Sequence, residues 1–262
     1  VPLSHERLIA ALLDRTELLR DVVRSADPAT PVPTCPGWTV GALVRHLSGG
    51  QRWAADLVAA RADAPPDDAF FRNVTRPAEQ PPAELDRALA ESSAALARAL
   101  REAGPDAPVW TPFGPGAASF FTRRFTHETV VHGADAALAA GRPWTVDPEL
   151  AVDGLDEWLE LASVPQMLEL FPERRALLGP GRTVHLHATD TPASLDAEWV
   201  VDLTGAVPSW RRAHEKSAVA VRGPVAGLLL VVCGRQRIDD AGAEVFGDRA
   251  LLDGWLAAST FG

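Results

Sequence analysis

The chain has 262 residues, of which 47% are hydrophobic and 23% charged, and a formal net charge of -10. Such a composition belongs to a globular chain with room for one large or two ordinary domains, and not to a disordered one. The acidic balance argues against a nucleic-acid backbone or an anionic membrane surface as partner, and the longest apolar run, Val225 to Cys233, is far short of the ~18 residues of a membrane span.

The N-terminal stretch "VPLSHERLIAALLDRTELL" carries charges throughout and does not read as a signal peptide. It opens a first helix, "HERLIAALLDRTELLRDVVRSA", with Leu8, Leu12, Leu19 and Val22 at helical spacing. The prolines of "DPATPVPTCPGW" end it, and Thr39 is placed to cap a second helix, "VGALVRHLSGGQRWAADLVAAR". A loop rich in Pro and Asp, Ala64 to Pro82, leads to a third helix over about Ala83–Ala103. "GPDAPVWTPFGPGAAS" reads as another loop before a fourth helix over about Ser119–Ala140. Four long helices with irregular connections predict a four-helix bundle over residues 1–146. From residue 147 the pattern changes. A helix over about Asp147–Leu161 precedes "RTVHLHAT", "AEWVVDLT" and "SAVAVRG", which alternate as strands do, and then an apolar run, "PVAGLLLVVCGR", before a turn. "GDRALLDGWLAAS" reads as a closing helix, so residues 147–262 form a smaller α/β domain and the whole chain is α+β.

Cys35 and Cys233 are the two cysteines, neither in a C-x-x-C pair, and a reduced, cytoplasmic setting is the simplest reading. With eight Trp and no Tyr, a tyrosine general acid is excluded. The chemistry concentrates in "FTHETVVHGADA", residues 125–136. It has one residue too many for the H-E-x-x-H pattern of zinc proteases. Residues four apart share a helix face and residues five apart do not. Glu128 and His132 therefore face together, on a row Phe121, Phe125, Glu128, His132, Asp135, Ala139, while His127 points elsewhere. On the second helix His46 interrupts the apolar stripe Leu43, Leu47, Gly50, Trp53, Ala54, Leu57. Two helices of one bundle thus aim two imidazoles and a carboxylate inward, and His2Glu is a ligand set of the catalytic, open type. The alternative is that Glu128 and His132 are a helix-surface pair with His127 facing the core, and that His46 is a hydrogen-bonded core histidine.

"VPTCPGWTVGALVRHL" and "FTHETVVHGADAALAAG", followed by "VAVRGPVAGLLLVVCGR", resemble in the same order the signature stretches of the mycothiol-dependent maleylpyruvate isomerase family, whose N-terminal domain is of the DinB type. The resemblance implies a divalent metal, usually zinc, on His46, Glu128 and His132, and the small thiol mycothiol as cofactor or co-substrate. A metal-bound sulfur is a thiolate at neutral pH and can add to an electrophilic small molecule. The implied reactions are cis–trans isomerisation and, in transferase relatives, S-transfer. Gly133–Ala134 stands where the family carries a bulkier Arg-Trp-like pair, which points to an altered pocket and favours the broader transferase reading. The resemblance also makes Arg235 a candidate catalytic group holding an anionic part of the substrate; a salt-bridged surface arginine is the plainer reading. Two other classes of function stay open: a non-catalytic, metal-stabilised binding or regulatory protein, and a hydrolase with Glu128 as base.

Asp135 is a candidate catalytic residue as the acceptor that orients a ligand histidine, or else a helix-surface group. Trp38 and Trp53 are candidates for the wall of the cofactor site, or core residues. Cys35, before Pro36-Gly37 at a helix entrance, reads first as a small residue in a tight turn, Cys233 as an inert core thiol, and Arg222 as a strand-end surface residue. His185 and His187 alternate on a strand and face one side, where solvent-facing residues are the simpler reading than a second metal site. The stretch Pro65–Asp68 reads as a solvated loop.

Overall fold

The computed structural model describes residues 2–64 and 80–259; the Pro65–Asp68 stretch lies outside the described residues. The chain divides into two compact units, Leu3–Thr145 and Val146 onward. Among the described residues no helix is long and apolar enough to cross a membrane.

The first unit is built on α1 (His5–Val23), α2 (Val40–Ala60), α3 (Pro82–Ala103) and α4 (Ala118–Ala139). Each of the first three starts where the sequence supplies a reason. Ser4 and Thr39 accept from the backbone N–H groups of Arg7 and Ala42, and α3 begins with proline, whose fixed φ suits a first turn. Helix α2 packs on α3, α1 packs on α3 and α4, and α2 reaches α4. Leu12, Leu57, Leu96, Leu100 and Phe121 form one apolar cluster, and Leu19, Leu43, Leu47, Leu89 and Ala136 a second. Burying each such leucine is worth about 1.5–3 kcal/mol.

Helix α4 differs from the others. Thr129 through His132 and Ala134 through Ala137 are unbroken buried runs, so the helix is enclosed on nearly all sides. Its threonines meet that environment internally. Thr122, Thr126 and Thr129 donate to the carbonyls four residues back, Ala118, Thr122 and Phe125, at 3.2, 2.7 and 2.7 Å.

The stretch before α4, expected to be a loop, is a hairpin of β1 (Pro108–Thr111) and β2 (Gly114–Ala117). The Thr111 hydroxyl closes its turn by donating to Gly114 O at 2.8 Å. Its glycines and prolines left no alternation to read.

In the second unit α5 (Pro148–Ser163), capped by Asp147, is followed by the short α6 (Gln166–Leu170) and a five-stranded sheet. The strands are β3 (Thr183–Ala188), β4 (Glu198–Asp202), β5 (Ser209–Arg212), β6 (Val219–Gly223) and β7 (Glu244–Gly247), in the order β5-β4-β3-β6-β7. Among the described strands only β3 and β6 run parallel. The register aligns Leu186 with Trp199 and Val221, and Val184 with Val201 and Val219, giving one apolar face. Trp199 is fully buried there and donates its indole N–H to Asp156 of α5 at 2.7 Å.

The apolar run after Pro224 is helix α7 (Val225–Val232), with α8 (Arg249–Ser259) closing the described chain. Eight residues without polar interruption have no readable period. The helix packs closely on the segment before β7: a Cβ on Gly227 would lie 2.6 Å from the Ala241 carbonyl oxygen.

Candidate metal centre

The segment between α1 and α2 folds over the end of α4. Val32 N–H donates to Trp38 O, and Cys35 N–H to Val32 O, closing a tight loop that needs Gly37 in the left-handed region at φ 83°. This loop sets Thr34, Cys35 and Trp38 above the polar row of α4.

On that row the Nε2 of His132 lies 3.0 Å from Oε2 of Glu128, and Nε2 of His46, from α2, lies 3.9 Å from the same oxygen. One ligating atom from each of the three residues falls within 4.8 Å of the others. The far nitrogen of His132, Nδ1, is 2.8 Å from Asp135 Oδ2. Asp135 is completely buried and also accepts from the Thr34 hydroxyl at 2.5 Å and the Cys35 thiol at 3.4 Å. The other oxygen of Glu128 faces Arg124 at 3.3 Å. His132 is only 7% exposed at its side chain, whereas His46 and Glu128 are 27% and 29% exposed, so the cluster is open on the His46–Glu128 side. Trp38 walls it, its ring 4.9 Å from that of His46 and 6.3 Å from that of His132.

These donors fit a divalent ion of zinc type. Asp135 fixes the His132 tautomer by taking Nδ1–H, which leaves Nε2 with a lone pair turned inward. Arg124 occupies one carboxylate oxygen of Glu128 and leaves the other for the imidazoles. The open side supplies room for an exogenous ligand, as a catalytic site requires. Thr34 and Arg124 were not anticipated. Arg124 is four residues before Glu128 and its helical spacing announces it; nothing in the sequence announces Thr34.

Trp53 packs against the first apolar cluster, edge-on to Trp110 and Phe121 at 6.3 and 5.7 Å. Arg235 follows α7 in the second unit and donates from Nη1 to Cys233 O at 3.0 Å. His127 is buried at 2% exposure on a different side of α4. Gly133 opens onto a cleft shared with Arg15, Leu18, Arg142 and Trp144, on the side of α4 that faces α1. The exchange at Gly133 therefore changes that cleft and not the ligand row.

In the metal-free protein burial opposes charge on both partners, and the partners overcome it. Arg124, then His132 and His46, hold the Glu128 carboxyl well below its ordinary range. Asp135, Cys35 and Glu128 raise His132 well above that of a free imidazole. A raised folded value means that His132 contributes its stabilisation fully below the unfolded pKa of about 6.5 and loses it as pH rises through the folded value. Glu128, depressed, contributes above its unfolded value and loses that as pH falls through the folded one. An ion on Nε2 must displace the His132 proton, so its affinity rises with pH. Zinc should raise the melting temperature of chelator-treated protein more at about pH 8.5 than at about pH 6, and His132→Ala should reduce that difference. An equal shift at both pH values in the parent protein would contradict this.

Two family models match the chain. The mycothiol maleylpyruvate isomerase N-terminal domain covers residues 9–137 and the MDMPI C-terminal domain covers residues 149–254. The chain belongs to the mycothiol-dependent maleylpyruvate isomerase family. Two crystal structures of a mycothiol-dependent maleylpyruvate isomerase, one of a histidine-to-alanine mutant, share the fold of this family member with TM-scores of 0.65 and 0.63 at 18% identity, over 93% of each chain. Uncharacterized proteins from two strains of Mycobacterium tuberculosis are 30% identical to it over 141 residues, 51% of this chain. That match spans 65% of the length of these curated relatives.

Proposed function

We propose that this chain is a metal-dependent enzyme that uses mycothiol as nucleophile toward an electrophilic small molecule, by S-transfer or by maleylpyruvate-type isomerisation. The observation that carries the reading is the convergence of His46 Nε2, Glu128 Oε2 and His132 Nε2 on an open, Trp38-walled site within a chain of this family. Bound zinc would lower the pKa of the thiol sulfur and present a thiolate at neutral pH. The chain's own groups prepare for this. Asp135 holds the His132 ring and tautomer, Arg124 orients Glu128, and Trp38 screens one side from water. The sulfur would add to an activated double bond, with its π electrons moving to the conjugated carbonyl. Rotation followed by expulsion of the sulfur gives isomerisation, and retention of the new C–S bond, with a proton from solvent added to the enolate carbon, gives transfer. We assign Arg235 to an anionic group of the electrophile, which its planar fork suits. Glu128 as a hydrolytic base is less well supported, because a carboxyl held well below its ordinary range is a weak base.

The experiment is turnover of maleylpyruvate and of simple electrophiles, with and without mycothiol and after chelation, read by mass spectrometry for S-conjugates and by absorbance for isomerisation. Turnover should require both thiol and metal, and Arg235→Ala should raise KM by about tenfold or more. Equal rates without mycothiol would sink the proposal.

A further inference from the structure

A second cluster of imidazoles, which the proposed reaction does not use, lies on the sheet of the C-terminal unit. His185 and His187 are two apart on β3 and share a face. The register places Glu198 of β4 directly opposite His187. Pairing of β4 with β5 aligns Trp199 with Arg212, which brings His214, two residues past β5, back to Glu198. The expectation that His185 faces solvent is wrong: its side chain is 8% exposed.

All three rings approach a single oxygen. Glu198 Oε2 is 3.0 Å from His185 Nε2, 3.0 Å from His187 Nδ1 and 2.6 Å from His214 Nδ1. The ring centroids are 5.6–6.1 Å apart, and each pair of rings stands at 73–83°. One donor atom from each of the four residues lies within 4.8 Å of the rest.

A carboxylate oxygen has two lone pairs, so three ring nitrogens exceed what it can accept as hydrogen bonds. His214 is 78% exposed, and an exposed ion pair is worth too little to order it there. Three imidazoles splayed nearly perpendicular to one another, with their nitrogens converging beside a carboxylate, match what a divalent ion of borderline softness requires. Arg222 stands level with His187 on β6; it is exposed, so solvent screens its charge.

We propose that His185, His187, Glu198 and His214 form a second metal site, for zinc or a first-row divalent ion of similar preference, which fastens the segment between β5 and β6 to the sheet. Three ligands come from strands and one from that segment, so the ion closes a loop that the sheet hydrogen bonds leave open.

The chain supplies its own reporter. Lys216 is its only lysine, is exposed, and lies two residues from His214. A lysine-specific endoprotease therefore cuts the full chain once, inside the segment that the ion would fasten. The test is the cleavage rate of chelator-treated full-length protein with and without micromolar zinc. Zinc in about tenfold excess over its Kd should slow the cut about tenfold. His214→Ala, which alters an exposed side chain, and His187→Ala should each abolish the protection, while His46→Ala/His132→Ala should retain it. An unchanged cleavage rate with zinc overturns the site. So does protection that persists in His214→Ala, or protection that vanishes only in His46→Ala/His132→Ala. Because the readout needs neither thiol nor turnover, its failure is distinguishable from failure of the proposed reaction.

Discussion

His132→Ala is expected to lose about one equivalent of bound zinc relative to the parent protein, together with more than about 99% of thiol-dependent turnover. His132 is the residue through which the site is organised. Its Nε2 faces Glu128 and its Nδ1 faces Asp135. Without it the two remaining ligands, on different helices, are 3.9 Å apart and no longer share a fixed neighbour. The substitution also removes a partner from a fully buried carboxylate, and breaking a buried ionic pair costs about 3–5 kcal/mol. His132→Ala should therefore melt earlier even when metal-free. His46→Ala offers the comparison, because His46 is more exposed at 27%. It should lose metal and activity with a much smaller loss of stability. Elemental analysis and calorimetric melts of the two variants would separate these effects. Parent-like zinc content in His132→Ala would refute the assignment.

Asp135→Asn should weaken zinc binding by about 10–100-fold while leaving the fold in place. The amide has the shape of the carboxylate but not its charge, so the His132 ring is held with less basicity. It also turns an acceptor that serves Thr34, Cys35 and His132 into a group whose NH2 faces one of those donors. Losing the carboxylate lowers the His132 pKa in the metal-free state, so the pH dependence of metal uptake should move to lower pH as the affinity falls. Competition with a chromophoric chelator at several pH values measures both. Parent affinity with an unmoved profile would mean that Asp135 does not position His132.

What could be read from the chain depended on whether a periodicity carried it. The inward row of α4 and the stripe of α2 are helical patterns, and they single out His46, Glu128 and His132 without any structure. Arg124 was equally available at four residues from Glu128. Thr34 was not, because its place over Asp135 comes from the loop that Gly37 permits, and a loop has no period. The same reason hid the hairpin before α4, whose glycines and prolines mask alternation, and the edge strands β5 and β7, which are only four residues long. Helix α7 was ambiguous because a wholly apolar octet looks alike as strand or helix. The position of His214 depends on strand pairing between β4 and β5, which no local pattern encodes.

The enclosure of α4 bears on how the bundle comes apart. The helix that carries Glu128, His132 and Asp135 is also the one surrounded on nearly every side, with its threonine hydroxyls turned back on its own carbonyls. Such a helix cannot fray outward while its neighbours stay in place, so its amide protons exchange through global opening and not through local excursions. The cluster is open on the His46–Glu128 side, so an ion there would leave through that side and not through opening of α4. Metal loss at the first site would therefore run ahead of exchange of the α4 amides, which would keep the timing of the bundle itself.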